Sequence, residues 1–501
     1  MYKEMSFFVV GLVFILGSFG VAEVNASKVP GEKVEKADDS QQAENVIYMI
    51  PDGFSAAYAT NYRLFKGEEA VWDEHLRGMY TTNSADSSIT DSAAAGTAMA
   101  TGEKTNNGML GIDPEGNELT TILEVLQEEG KSSGLIATST ITHATPAAFA
   151  SHVEDRSNES DIAKDLLNTE VDILLGGGKN NFLPESKGGN QEGEENLIAQ
   201  AKEQHYDVVE TRDQLLEVDL NVEEGEKLLG LFADEALPPE VHRNKEEDPS
   251  LAEMTEAALN ILQDDEDGFF LMVEGSQIDW AGHDNDAGWA MTDVEAFEKA
   301  VHAAIEFAEE DGETMVVVAS DHETGGMTVG ANGSDSANPD MLKNVTATGE
   351  NMAAKLNEDR SNIGEVVSQH TGITLNEEEI QTIEETEDVK AAINEVISER
   401  ANIGWTSDNH TAVDVPVYAY GPGADKFTGF LDNTDLPKII ADVTDVGLKE
   451  NHQQSKVHTV QPGETLFEIG RQNNYLWTTL QEINQLPNPH LIYPGEKVRF
   501  Q

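Results

Sequence analysis

Residues 46–53 read VIYMIPDG, in which five apolar residues are followed at once by Pro51, Asp52 and Gly53. A short apolar run that ends in turn-forming residues is typical of a strand buried on both faces of a sheet. Similar runs recur at 134–138, 171–175, 269–273, 314–319 and 415–420. Because helical patterns such as 251–262 and 292–308 lie between the runs, the sequence predicts an α/β fold with a mostly parallel central sheet and helices on both faces.

Acidic and imidazole side chains cluster around the ends of these predicted strands. In such folds, ligands bind beyond the carboxyl ends of the strands. Carboxylates gathered there without cations would repel one another, so the pattern predicts divalent metal ions. His with Asp suits zinc, and carboxylate with hydroxyl suits magnesium. The candidate residues near these ends are Asp52, His143, Thr145, Glu274, Asp279, His283, Asp321, His322 and His410.

The amino-acid composition limits which metal sites and which binding partners are expected. The 501 residues include 94 Asp and Glu against 31 Lys and Arg, a formal net charge of −63. Such a charge repels phosphate backbones, so we expect no nucleic acid as a macromolecular partner. The chain has no cysteine, which excludes disulfides, thiol nucleophiles and thiolate metal sites. Any metal site must therefore use His, Asp and Glu.

The amino-terminal residues predict export. Lys3 precedes an apolar run over 7–19, and small residues at Val24 and Ala26 fit signal-peptidase cleavage after Ala26. The run is short for crossing about 30 Å of hydrocarbon, so we interpret residues 1–26 as a signal peptide and 27–44 as a flexible segment. No later run is apolar and long enough to span. The predicted location is extracellular or on the cell wall, or the periplasm of a Gram-negative source.

Small residues over 90–102 predict a helix with a reactive position at its start. Asp91 or Ser92 would cap this helix. A hydroxyl at a helix N-terminus lies where free N–H groups and the helix dipole favour an anion such as phosphate. Serine needs a base or a metal to act as a nucleophile. No Gly-x-Ser-x-Gly elbow surrounds Ser92, which argues against an α/β-hydrolase.

The chain resembles the bacterial alkaline phosphatases. The resemblance rests on Thr90-Asp91-Ser92-Ala93-Ala94, on Asn106-Asn107-Gly108 and Gly111-Ile112-Asp113 downstream, and on the order of the motifs as far as about residue 445. It implies a phosphatase domain over 45–447, in which we expect an inserted crown or lid region over about 325–400. It also implies hydrolysis of phosphate monoesters generally, by in-line displacement between two zinc ions. It does not decide between a monomer and a homodimer.

The family pattern assigns roles residue by residue. Ser92 would be the nucleophile that becomes phosphorylated. Arg156 would grip the substrate phosphate through its planar fork, and a surface ion pair with Glu154 or Asp155 is the alternative. The implied ions are two zinc and one magnesium. The first zinc would take Asp279, His283 and His410, the second would take Asp52, Asp321 and His322, and magnesium would take Asp52, Thr145 and Glu274.

Two positions differ from the best-known bacterial relative in this family. His143 stands where that relative has Asp near the magnesium, and Trp280 stands where it has Lys after the zinc-ligating Asp. The histidine removes a carboxylate from the outer shell of the third site, which puts the magnesium specificity of that site in question. The tryptophan removes a cation from near the phosphate, so we expect weaker product binding or faster product release.

The final residues predict a second, smaller domain after a polar linker over 448–455. Residues 456–501 contain four basic and four acidic residues and are therefore neutral. Two Pro-Gly turns and a central Leu-x-x-x-Asn, Leu480 to Asn484, resemble a LysM module with the order βααβ. This resemblance implies binding to N-acetylglucosamine polymers such as peptidoglycan or chitin.

The sequence also offers three alternative functions. The first is a phosphodiesterase or sulfatase of the same superfamily, but sulfatases usually need a modified Cys or Ser, and diesterase relatives lack an equivalent of Arg156. The second is a non-catalytic, wall-bound protein that binds metal or salt, against which Ser92 and Arg156 both argue. The third is nucleotide binding by LGGGK at 175–179, which lacks the P-loop spacing.

The charge distribution generates the first prediction. Residues 1–26 carry 1 − 2 = −1 and residues 456–501 carry zero, so residues 27–455 carry −63 + 1 = −62. Salt should therefore raise the melting temperature, because the Debye length falls from about 30 Å at about 0.01 M salt to about 3 Å at about 1 M. Scanning calorimetry at these two salt concentrations checks this. The same charge excess suggests a salty habitat, where salt screens the self-repulsion. An unchanged melting temperature would leave this inference without support.

Overall fold

The computed structural model describes residues 42–218, 225–331, 333–448, 457–461, 463–472, 475, 477–484, 486, 488 and 491–500. The predicted signal peptide lies outside the described residues. Within the described residues, no helix combines the length and apolar character needed to cross a membrane.

The strands are β1 (Asn45–Pro51), β2 (Leu76–Thr81), β3 (Ser132–Thr140), β4 (Ile173–Gly177), β5 (Tyr206–Val209), β6 (Lys227–Leu231), β7 (Phe269–Gly275), β8 (Thr314–Ala319), β9 (Glu323–Thr324), β10 (Thr328–Val329), β11 (Ile403–Gly404), β12 (His410–Thr411), β13 (Val415–Tyr420), β14 (Gly429–Asp432), β15 (Val457–Thr459) and β16 (Lys497–Arg499). Ten of them form one sheet in the order β14-β2-β13-β8-β1-β7-β3-β4-β6-β5. Strand β13 runs antiparallel to both of its neighbours, and the other pairings of this sheet are parallel.

The helices are α1 (Ala56–Lys66), α2 (Ser92–Thr101), α3 (Ile122–Glu128), α4 (Ala144–Ala147), α5 (Glu159–Asn168), α6 (Leu197–Glu203), α7 (Arg212–Leu216), α8 (Leu251–Leu262), α9 (Gln277–His283), α10 (Ala287–Asp311), α11 (Gly349–Ala353), α12 (Ile363–Thr371), α13 (Glu377–Glu385), α14 (Val389–Ala401), α15 (Asp435–Val443), α16 (Leu466–Gln472) and α17 (Trp477–Ile483). The long helices α8 and α10 pack together on one face of the sheet.

Alternate side chains of β1 enter two different cores. Ile47 and Met49 belong to the core under α8, α10 and α14, whereas Tyr48 and Ile50 belong to the core under α2, α3, α5 and α15. A strand whose two faces are both covered needs apolar residues at every position. This requirement explains the unbroken apolar run of β1. The strand order and the two cores confirm the predicted mostly parallel α/β sheet with helices on both faces.

Four strands of the sheet, β2, β5, β6 and β14, were not predicted. Strand β2 includes Arg77 and has one fully buried residue among six, and β14 is short with exposed residues at its start. Strands β5 and β14 lie at the two ends of the sheet. Edge strands do not need a continuous apolar sequence, so the pattern used for the central strands could not find β5 and β14.

The C-terminal residues form a small βααβ unit with its own core, as predicted. Strands β15 and β16 pair antiparallel, and α16 and α17 lie between them in the chain. The buried residues of this core include Val460, Leu466, Ile469, Leu480 and Val498.

Candidate metal and phosphate site

The first group of candidate ligands lies on α9 and on β12. Asp279 and His283 are four residues apart on α9, so both face the same side of the helix. His283 Nε2 lies 3.3 Å from Asp279 Oδ2 and 3.1 Å from His410 Nε2. The Nδ1 atoms of His283 and His410 donate to the backbone carbonyls of Asp408 and Thr90, at 2.7 and 2.8 Å. These bonds fix the tautomers and leave both Nε2 atoms free to ligate a metal.

The second group lies where β1 and β8 end. Asp52 directly follows β1, and Asp321 and His322 follow β8. His322 Nε2 lies 3.2 Å from Asp321 Oδ2 and 3.7 Å from Asp52 Oδ1. One ligand atom each from Asp52, Asp279 and His322 lies within 4.8 Å of the others. The structure therefore brings the predicted residues together and places the first two groups side by side.

The close approach of the turn after β1 to helix α9 depends on Gly53. Its φ is +73°, a conformation that side chains other than glycine rarely adopt. A Cβ atom there would lie 2.9 Å from the backbone of Asp279. The glycine in the sequence Pro51-Asp52-Gly53 thus lets the turn after β1 pack directly against α9.

A third group combines Asp52 with Glu274 and His143, whose ligand atoms also fall within 4.8 Å of one another. Glu274 lies in β7, His143 precedes α4, and the hydroxyl of Thr145 is buried. We expected His143 beside the metal ligands; the structure places its Nδ1 3.9 Å from Glu274 Oε1. His143 is therefore itself a candidate ligand of this group.

The donor atoms of the second and third groups fit metal ions. Buried polar atoms are normally hydrogen-bonded, because burying them unpaired is costly. In the described chain, several buried donor atoms of these groups have no hydrogen-bond partner: both carboxylate oxygens of Asp52, Oδ2 of Asp321, Oε1 of Glu274, Nδ1 of His143 and Oγ1 of Thr145. Carboxylate, imidazole and hydroxyl atoms that converge in this way are the donors that zinc and magnesium use.

The electrostatics of the cluster favour bound cations. Burial raises the pKa of Asp52 well above its usual value, and the charges of Asp321 and Asp279 raise it further. Burial likewise raises the pKa of Glu274 to about 7 and that of Asp321 to about 6. Asp279 is the exception: burial raises its pKa, but the hydrogen bond with His283 and the charges of the neighbouring histidines together outweigh burial and lower the pKa. Divalent ions would remove the mutual repulsion of these carboxylates.

Ser92 is the first residue of α2 and is buried. Asp91 rather than Ser92 caps this helix, because the Asp91 carboxylate accepts a hydrogen bond from the Ala94 N–H at 3.0 Å. The Ser92 hydroxyl is consequently available, and its Oγ lies 3.2 Å from His322 Nε2. Burial lowers the pKa of His322 well below its usual value, so the ring is neutral and its Nε2 is available to a metal ion or to a hydrogen bond from the hydroxyl.

Arg156 points into the same cavity and is held by two partners. Its Nη1 donates to Asp91 Oδ2 at 3.1 Å, and its Nη2 donates to His143 Nε2 at 3.1 Å. The ion pair is thus with Asp91 and not with the neighbouring Glu154 or Asp155. The Arg156 side chain is about a quarter exposed and lines the cavity, where a ligand can reach it.

Ser92, Arg156 and the first group of ligands line one cavity of about 440 Å³. Trp280 forms part of its wall, and its ring meets that of His143 edge to face at 5.9 Å. Ile89 and Asn107 also line it. Sequence reasoning did not assign a role to these two residues, although Asn107 belongs to one of the motifs that carried the resemblance. The hydroxyl of Thr324, which hydrogen-bonds Asp279 Oδ1, was also missed.

Comparison with known proteins agrees with this geometry. A family model described as alkaline phosphatase matches residues 43–446, and one described as LysM domain matches residues 458–500. Alkaline phosphatase 3 of Bacillus subtilis is 39% identical over 465 residues, which cover 88% of this chain and 97% of that protein.

Solved structures of two bacterial enzymes are also similar. The cold-active alkaline phosphatase of a psychrophilic Shewanella is 34% identical, with a TM-score of 0.73, over 80% of this chain and 99% of that one. The alkaline phosphatase of Thermus thermophilus is 29% identical, with a TM-score of 0.73, over 85% of this chain and 96% of that one.

The repulsion within the cluster generates a prediction for Asp52→Asn. In metal-stripped protein at alkaline pH, this change should raise stability by roughly 1–3 kcal/mol, because it removes a buried charge that lacks a hydrogen-bond partner. The same variant should gain less stability than the wild type when zinc is added. Scanning calorimetry with chelator and with zinc measures both effects. Asp207→Asn, on an exposed position of β5, is the matched control, and a lower melting temperature for metal-free Asp52→Asn would contradict the prediction.

Proposed function

This chain belongs to the alkaline phosphatase family, and we propose that it hydrolyses phosphate monoesters through a phosphoserine formed on Ser92. The observation that carries the proposal is the position of Ser92 at the start of α2, in one cavity with Arg156 and the first group of candidate metal ligands. One phosphate group in this cavity could thus contact the Ser92 hydroxyl and the Arg156 guanidinium. It would also lie beside the candidate metal ligands.

The family is metal-dependent, and we assign zinc to two groups and magnesium to the third. Asp279, His283 and His410 would hold the first zinc, and Asp52, Asp321 and His322 the second. Asp52, Thr145 and Glu274 would hold magnesium. When bound, the ions supply Lewis acidity to the attacking and leaving oxygens. Metal analysis tests the assignment: two zinc and one magnesium per chain are expected, whereas a third zinc would indicate that His143 ligates in the third group.

The residues of the chain provide the nucleophile and the orientation. Ser92 Oγ attacks phosphorus, the bond from phosphorus to the alcohol oxygen breaks, and the alcohol departs. Water then attacks the phosphoserine, which releases inorganic phosphate and restores the Ser92 hydroxyl. Because the N-terminus of α2 directs its free N–H groups and dipole toward this point, it favours the added negative charge.

Arg156 binds the equatorial phosphate oxygens in this scheme. Its guanidinium is planar and always charged, so it matches two phosphate oxygens at once. Asp91 both caps α2 and accepts a hydrogen bond from Arg156. The helix that begins with Ser92 and the guanidinium of Arg156 therefore share one carboxylate. This shared partner fixes the distance between them.

A monoesterase fits the site better than a diesterase of the same superfamily. Arg156 recognises a terminal phosphate with free oxygens, and an extra ester group would remove one of them. The contacts concentrate on the phosphate, so we expect a broad range of alcohols. The ratio of activities on an aryl phosphate monoester and an aryl phosphate diester distinguishes the two functions.

We further propose that the enzyme is exported and held on cell-wall glycan. The LysM domain over 458–500 supports wall association, because modules of that family bind N-acetylglucosamine polymers such as peptidoglycan or chitin. Export depends on the predicted signal peptide, whose residues lie outside the described part of the chain. Because the chain is strongly negative, we expect no nucleic acid as a partner. Light scattering tests whether the enzyme forms a homodimer in solution.

Ser92→Ala should lower turnover by about a thousandfold or more, since no other described group can form the phosphoserine. The fold and the metal content should be unchanged, because Ser92 is not among the proposed metal ligands. Acid quenching with radiolabelled phosphate should label Ser92 of the wild type and nothing in the variant. Ser88→Ala, at an exposed serine four residues earlier, is the control. Label on a different residue would show that the nucleophile is wrongly assigned.

Removal of residues 456–501 should leave phosphatase activity nearly unchanged, because every proposed ligand and phosphate contact lies before residue 412. The truncated enzyme should no longer co-sediment with insoluble peptidoglycan or chitin, whereas the full chain should. If the truncated enzyme sediments as well as the full chain does, glycan binding belongs to the acidic body and the tail is wrongly interpreted.

A further inference from the structure

A histidine outside the metal cluster holds the segment that carries Arg156. His152 lies four residues before Arg156 and is bound at both ring nitrogens. Nδ1 lies 2.7 Å from the carbonyl oxygen of Gly111, and Nε2 lies 3.1 Å from Glu124 Oε1. A carbonyl and a carboxylate can only accept, so both nitrogens carry hydrogen and the ring is an imidazolium. We call His152, Gly111 and Glu124 the His152 clamp.

The clamp lies at one end of a paired backbone segment, and Arg156 lies at the other. Between them, Leu110 and Val153 form an antiparallel bridge with two hydrogen bonds of 3.0 Å. The Arg156 N–H donates to the Gly108 carbonyl at 2.8 Å. Gly108 in turn donates its N–H to Asp91 Oδ2 at 3.0 Å, the oxygen that Arg156 also binds. The clamp therefore connects to the phosphate-binding guanidinium through continuous hydrogen bonds.

Both acceptors of the clamp are fixed in place. Glu124 belongs to the capping box of α3 and also accepts from the Thr121 N–H at 2.8 Å. Gly111 has φ +60°, and a Cβ there would lie 2.2 Å from the Ser151 carbonyl oxygen. On the other side, Asp165 of α5 accepts from the Ser151 hydroxyl at 2.7 Å and from the His152 N–H at 3.3 Å. His152 is thus held between α3 and α5.

We propose that His152 is a positioning residue for Arg156: the clamp holds residues 152–156 against residues 108–111 and so sets where the guanidinium meets the phosphate. The inference rests on the proposed function of Arg156 as the phosphate ligand. It adds a residue that contacts neither the metal groups nor the substrate cavity. His152 acts on phosphate binding through the backbone.

The surroundings of the clamp make its strength depend on pH. Glu118, Glu124, Glu128 and Asp165 line the cleft around His152, and no Lys or Arg is among its described lining residues. Burial lowers the pKa of His152, but the hydrogen bonds to Glu124 and Gly111 outweigh burial and raise the pKa to about 9. The pKa of Glu124 is lowered in turn by the His152 hydrogen bond, despite its burial. Because the pKa of His152 is raised, its interaction with Glu124 and Gly111 is fully formed at a pH below the ordinary pKa of histidine. The interaction is lost as the pH rises through about 9.

The test compares wild type, His152→Gln and Glu124→Gln for the inhibition constant of inorganic phosphate, KM and kcat between about pH 7 and about pH 10. In the wild type, the inhibition constant should rise above about pH 9. His152→Gln should raise KM and the inhibition constant roughly three- to tenfold, the value of one lost hydrogen bond, and should change kcat less than about twofold. Its inhibition constant should not show the wild-type rise. His302→Gln, at an exposed histidine of α10, is the control.

Glu124→Gln separates positioning from folding. Glutamine can keep the capping box of α3, but it removes the carboxylate that favours the imidazolium, so the rise of the inhibition constant should move to lower pH. If wild type hydrolyses monoesters and both variants keep its inhibition constant and pH dependence, the role of His152 is wrong and the proposed function stands. If His152→Gln does not fold, an unshifted profile in Glu124→Gln overturns the proposal. Wild type that neither hydrolyses monoesters nor binds phosphate would overturn the proposed function, and this inference with it.

Discussion

The mutual repulsion of four buried carboxylates is the constraint on which the rest of this structure depends. Asp52, Glu274, Asp279 and Asp321 are all at most 4% exposed and lie at one edge of the sheet. Ionised groups buried so close together are unfavourable unless cations or donors compensate them. The two apolar cores on either face of β1, β7 and β8 supply the free energy that holds the groups there. A cluster of this kind is stable enough to fold and remains poised to bind divalent ions.

A single carboxylate outside that cluster connects Ser92, the proposed nucleophile, with Arg156, the proposed phosphate ligand. Asp91 accepts from the start of α2, from the Gly108 N–H and from Arg156. A shift of Asp91 would therefore move Ser92 and Arg156 together. Reactivity that depends on the alignment of an attacking oxygen with phosphorus benefits from such a shared anchor, because small errors in position cost much of the rate. The His152 clamp extends the same principle one step further from the reacting atoms.

Sequence reasoning could predict the features that a local pattern specifies. Continuous apolar runs identified the central strands, since both faces of β1, β7 and β8 are covered. The residues after these runs were predicted as candidate metal ligands, and the structure brings them together. Strand β2 was missed because its half-exposed residues form no such run. The contacts of Arg156 with His143 and of His152 with Glu124 were also beyond reach. They join segments that the sequence separates and that only the fold brings together, and an isolated histidine has no spacing pattern to reveal its partner.

The strongly negative surface repels an anionic substrate, whereas the site must attract it. The two effects act over different distances. At low salt, the acidic surface opposes the approach of a phosphate over distances of the Debye length, about 10 Å at 0.1 M. Within the cavity, contact-range interactions with Arg156, the start of α2 and bound ions act over a few ångströms and are screened far less. Surface charge therefore governs how fast substrate arrives, whereas the buried site governs how tightly phosphate is held. A neutral LysM domain fits this division, because anionic polymers would repel a tail as acidic as the body.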